Sequence, residues 1–219
     1  IAPGFRQALQ NSRFQNFNEK QIIADLSKVG IAVGGEALRS GKKALGVIGQ
    51  VGAVRLFSSN GDDGPLRDSF NQLGLIIPVD SFESILGSYS AMEIGSDKMS
   101  DLLAIQITIT EDSLLVMSAA SIEAKFASKE FHGEKSAFEQ ARRTFERFKA
   151  LVDGSIRTTG VVQRYILAKL IKYGIELKYQ IKPDDYANRN YIIVDKILKG
   201  HIRWRRPEFE TIVCSTEGE

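Results

Sequence analysis

The stretch SDLLAIQITITEDSLLVMSAASIEAKF, residues 100–126, decides the fold. Two apolar runs, Leu102–Ile109 and Leu114–Met117, are separated by the turn-forming Thr110-Glu111-Asp112-Ser113. Apolar runs of strand length bounded by a polar turn predict a β-hairpin. Asp101 stands at the mouth of the first strand, and Glu123 and Lys125 alternate along an extension of the second. Alternate strand residues share a face, so the Glu and Lys side chains are expected side by side. Carboxylates at such a place are hard oxygen ligands suited to Mg²⁺ or Mn²⁺. A neighbouring lysine can orient an attacking water or stabilise charge developing on a phosphate.

Asp101 followed by Glu123-Ala124-Lys125 resembles the D…(D/E)-x-K signature of the PD-(D/E)XK nuclease superfamily, over about residues 73–152. The resemblance implies a restriction-endonuclease-like core: a small mixed β-sheet flanked by helices, in an α/β chain with a helical N-terminal segment. It also implies that Asp101, Glu123 and the carbonyl of Ala124 hold Mg²⁺ or Mn²⁺, with Lys125 as the catalytic cation. Asp80, after Pro78-Val79, is the rival aspartate, because the superfamily's name records a Pro-Asp pair. Asp101 is preferred because it leads directly into the hairpin. Within the superfamily a helix after the E-x-K strand often carries Gln and, four residues on, Tyr. Gln140 matches the first of these and Thr144 departs from the second. The segments Ser-Asp-Leu-Leu (100–103) and Ile-Glu-Ala-Lys (122–125) are also similar to nuclease domains joined to HerA- or FtsK-like ATPases in prokaryotic DNA defence, including phosphorothioation-dependent restriction. DNA, and further domains of a longer chain or an ATPase, are the partners this implies.

Composition sets the outer limits. The chain has 219 residues, 43% hydrophobic and 26% charged, within the range of an ordinary globular protein. No apolar run reaches membrane-spanning length, so no membrane partner is expected. The single cysteine, Cys214, allows no intrachain disulfide and fits a reducing cytoplasm. A net charge of +2 is weak evidence for a nucleic-acid partner, and only the placement of charges can supply it. The first residue is Ile1 rather than Met, which reads as a piece of a longer protein. His132 and His201 are not spaced as a metal pair, and Cys214 lies far from His132 in sequence, so neither a zinc cluster nor a Cys-His pair is expected.

Residues 1–60 read as a helical N-terminal segment and residues 66–219 as the nuclease-like core. Phe5–Phe17 predicts one helix. Asn18 caps a second, with Ile22, Ile23, Leu26 and Val29 as its apolar stripe and Gly30 as its stop. The glycine-rich Gly46–Gly52 lacks the Lys-Ser/Thr of a phosphate loop and reads as close helix packing. Residues 58–65 form a loop, 73–79 a buried strand with Pro78 near its end, and 81–96 an irregular or helical connection. Residues 135–152 are the strongest helix, with Phe138, Ala141, Phe145, Phe148 and Val152 as one core-facing stripe. A further helix is expected over 159–173, stopped by Gly174, then a strand over 175–181 and a helix, with a strand as the alternative, over 191–198 ended by Gly200. The basic segment 201–207 offers Arg203, Arg205 and Arg206 to phosphates and Trp204 for stacking on a base. The competing reading makes Ile202 and Trp204 the buried side of a strand. Residues 208–215 finish as an apolar strand.

These features predict a metal-dependent deoxyribonuclease. The alternatives are a nuclease fold that only binds DNA, and a module that docks partners in a larger ATPase assembly.

Overall fold

The computed structural model describes residues 49–50, 53, 66, 69, 71–79, 82, 98–126, 133–179 and 186–216. The expectations for the N-terminal helices, the 58–65 loop, most of 81–96, Asp80 and His132 lie outside these residues. Gly49, Gln50 and Ala53 are helical.

The chain is α/β. Strand β1 (Gln72–Pro78) is followed by β2 (Leu102–Ile109) and β3 (Leu115–Phe126). Three helices come next: α1 (Glu134–Ile156), α2 (Val161–Tyr179) and α3 (Tyr186–Leu198). Strands β4 (Ile202–Trp204) and β5 (Thr211–Thr216) complete a five-stranded mixed sheet. β1, β2 and β3 pair antiparallel in sequence order, and β4 and β5 both join β3 in parallel. Parallel pairing needs a long crossover, which the three helices provide.

The hairpin forms where the alternation places it. Ser113 takes a left-handed φ of 62°. The Thr110 side chain steadies the turn by accepting the Leu114 N–H at 3.1 Å. That turn sets the register Leu102↔Ile122, which extrapolates to Asp101 opposite Glu123. Pro78 ends β1 at the sheet's edge, where its missing N–H does least harm.

The sheet has two different faces. Leu73, Leu75, Ile77, Leu103, Ile105, Ile107, Leu115 and Met117 join Phe148, Leu151, Leu167, Ile171, Ile175, Ile193 and Ile197 of the helices in the main core. On the other face Leu102, Ala104, Ile122 and Ala124 form a smaller cluster with Ala53, against which Leu66, Ile212 and Cys214 pack.

Two expectations are corrected. Gly174 does not stop α2: the helix runs on to Tyr179, so residues 175–179 are helical rather than a strand. Here the glycine provides a close approach, since a Cβ at 174 would stand 2.7 Å from Ile77 Cδ1. Phe138 does not belong to the buried stripe of α1 and is 48% exposed. Phe145, two turns later on the same side, lies 6.0 Å from the Trp204 ring, a cover that Phe138 does not share. The stop at Gly200 is as expected, with φ at 76°.

Candidate metal and phosphate site at the mouth of the hairpin

Asp101 precedes the first residue of β2 and lies opposite Glu123, where the two strands part. The groups there are tied by complementary hydrogen bonds. The Asp101 N–H donates to Glu123 Oε2 at 3.1 Å, and the Ala124 N–H donates to Asp101 Oδ2 at 2.8 Å. Lys125 forms an ion pair with Glu123 Oε1. Asp101, Glu123, Ala124 and Lys125 therefore converge. In an extended strand the N–H and C=O of one residue point to the same edge, so the Ala124 carbonyl lies on the Asp101 side.

Glu123 is 1% exposed and Lys125 is partly exposed. Burial first, and the Asp101 charge second, raise the Glu123 carboxyl from 4.5 to about 7, against the opposing pull of Lys125. Among the described residues no group of three or more His, Cys, Asp or Glu side chains is placed to hold a metal ion. Mg²⁺ nevertheless binds through one or two carboxylates and keeps several waters. Two facing carboxylates and a carbonyl on the same edge are hard oxygen donors of the kind such a cation takes.

Helix α1 braces this corner at two points. Ser121, buried and two residues before Glu123, donates its hydroxyl to the Ala141 carbonyl. Thr144, also buried, accepts the Ser100 N–H at 2.8 Å and donates to the Gln140 carbonyl at 3.1 Å. The residue before Asp101 is thereby pinned to the helix. Val79, beyond the end of β1, donates its N–H to the Asp101 carbonyl at 3.0 Å. From the N-terminal part of the chain, Gln50 Nε2 reaches Asp101 Oδ1 at 3.3 Å.

Gln140 lies one turn before Thr144 on the same side of α1, half-exposed. Nothing in the sequence gives Ser100 or Gln50 a role, and Thr144 stands out there only as the departure from Tyr. For Thr144 a signal was present: it falls on the buried side of α1 with Ala141, Phe145 and Phe148, and a polar side chain there needs a partner.

The basic segment is not part of this corner. Arg205 N–H bonds the Met117 carbonyl, six residues or about 20 Å of strand from Glu123. Arg203 pairs with Val116 and so faces the side of the sheet opposite Glu123. Trp204 packs 6.0 Å from Phe145 and 6.2 Å from Phe148, between β4 and α1. It is partly buried against the main core, which favours the reading of Ile202 and Trp204 as the buried side of a strand. Arg203, Arg205 and Arg206 are exposed, and Arg206 pairs with Glu210 at 3.1 Å. Cys214 is half-buried with its thiol pKa raised by burial, the opposite of an activated nucleophile.

No protein-family model matches the chain, and no curated protein or solved structure matches it. Its class rests on the α/β fold and this corner.

Proposed function

We propose that the chain is a metal-dependent nuclease domain that hydrolyses DNA phosphodiester bonds. One observation carries the reading: Asp101, Glu123, Ala124 and Lys125, up to 24 residues apart in sequence, meet at the end of one strand pair, held by bonds of 2.8 and 3.1 Å. Asp101 and Glu123, with the Ala124 carbonyl, would hold Mg²⁺ or Mn²⁺. Such a cation supplies a more acidic bound water and offsets charge on the phosphoryl oxygens. Lys125, tethered by Glu123, would orient the water and stabilise the charge that builds on the phosphate. Gln140 would contact the substrate from α1. The single cysteine suits a cytoplasmic setting. A role in DNA restriction beside an ATPase rests on the resemblance in residues 100–103 and 122–125.

A second reading has its own support. Each carboxylate oxygen of Asp101 and Glu123 already has a partner within the chain. The corner can therefore be a brace in a fold that binds DNA, or docks a larger assembly, without cleaving.

The test is plasmid cleavage with Mg²⁺ or Mn²⁺ by the parent and by Asp101→Asn, Glu123→Gln and Lys125→Ala, with melting followed on the same samples. A positioned charge of this kind contributes about 3–4 kcal/mol to the transition state, so each variant should lose cleavage by orders of magnitude. Variants that melt normally and cleave like the parent would remove the nuclease reading. DNA binding without cleavage by the parent, alone and within its full-length protein, would establish the second. Asp80→Asn settles the rival ligand: it should cleave like the parent, and its loss would move the ligand there.

A further inference from the structure

Arg147 lies one turn beyond Thr144 on α1, and its Nη1 is 2.9 Å from Met99 Sδ. Met99 is two residues before Asp101, at most about 7 Å of chain. The guanidinium is half-buried, and among the described residues a thioether sulfur, a weak acceptor, is its hydrogen-bond partner. Two other cations of α1 have carboxylate partners. Arg142 holds Glu139 and Glu146 at 3.0 and 2.8 Å, and Lys149 holds Asp153 at 2.5 Å. The guanidinium thus has no carboxylate partner among the described residues, and its remaining donors can take a docking anion. Lys98, next to Met99 in sequence, is exposed, and Lys125 is partly exposed beside Glu123.

We infer that Arg147 contacts a backbone phosphate of a nucleic-acid strand beside the one addressed by Lys125. The inference rests on the nuclease reading and deepens it. It sets the substrate track along the rim between α1 and the start of β2, and not along Arg203–Arg206 at the other end of β3.

The test is binding of a fluorescein-labelled DNA duplex to the whole chain, read by anisotropy across a salt series with Ca²⁺ replacing Mg²⁺. Arg147→Met keeps an apolar stem against Met99 and removes the charge, so affinity should fall about tenfold, the worth of one charged hydrogen bond. The log–log salt slope should shrink by about 0.9, one phosphate contact. Arg147→Lys should restore the slope but only part of the affinity, because the planar fork is gone. The joint Arg203→Gln, Arg205→Gln, Arg206→Gln variant should keep the parent's slope.

An Arg147→Met chain with the parent's affinity and slope overturns the inference. So does a slope that shrinks only in the triple variant. If Arg147→Met melts early, Arg147→Gln and Arg147→Lys decide the matter at a temperature where both are folded: equal slopes for the two reject a phosphate contact. A parent that cleaves DNA while Arg147 variants bind normally leaves the nuclease reading standing. A parent that neither binds nor cleaves, alone and within its full-length protein, removes both.

Discussion

At the scale of single residues, Glu123 sets the pH behaviour. Its carboxyl is raised from 4.5 to about 7, so between these values the folded chain holds a proton that the unfolded chain releases. Stability from this group is fully present below about pH 4.5 and falls as pH rises to about 7, with no further change above. Glu123→Gln should flatten that part of the curve and melt above the parent at pH 8 without divalent cations. Melting curves of parent and variant that stay parallel from pH 4.5 to 8 would contradict it. Thr144 is the other informative position. Thr144→Val keeps the shape but strands the buried Ser100 N–H, at a cost of about 1–3 kcal/mol, and lets Asp101 drift. Thr144→Ser keeps the acceptor and should recover most of the stability and cleavage. Chemical denaturation with a cleavage assay checks both, and a serine variant as impaired as the valine one would argue against the hydrogen bond.

At the scale of elements, α2 shows a local signal yielding to packing. A glycine after an apolar helical run reads as a stop, yet Gly174 sits inside the helix because β1 comes too close for a side chain. Replacing an internal helical glycine by alanine ordinarily gains about 1 kcal/mol. Here the new Cβ would meet Ile77 Cδ1 at 2.7 Å and Leu75 Cδ1 at 3.3 Å, both on fully buried side chains. Overpacking of that kind costs about 1–3 kcal/mol, so Gly174→Ala should unfold at lower denaturant than the parent. A stabilised alanine variant would mean that α2 and β1 are less closely packed than described.

At the scale of the whole molecule, two described residues of the N-terminal part, Gln50 and Ala53, touch the sheet. Ala53 is buried with Leu102, Ala104, Ile122 and Ala124, and Gln50 bonds Asp101. A chain trimmed to residues 66–219 would bare that face of the sheet and loosen one carboxylate of the site. It should melt lower than the full chain and bind a hydrophobic dye. Equal melting temperatures would assign the N-terminal part to a separate unit. Among the described residues no helix is long and apolar enough to cross a membrane.

The sequence by itself determined the features that depend on near neighbours. Alternation and a polar turn specified the hairpin, and with it the meeting of Asp101 and Glu123. Helical spacing specified α1, while for α3 it left helix and strand both open over 191–198, with Gly200 as the end. Only the tertiary structure decided which of the equivalent faces and turns would be covered. Phe138 and Phe145 lie on one side of α1, and Trp204, brought alongside by β4, covers only the second. The same contact favours Trp204 as the buried side of a strand over a base-stacking platform. Thr144 and Ser100 are 44 residues apart, and Gln50 and Asp101 are 51 apart. Periodicity fixes which side chains share a face, but the partner of that face is chosen by packing between distant segments, which no local pattern records.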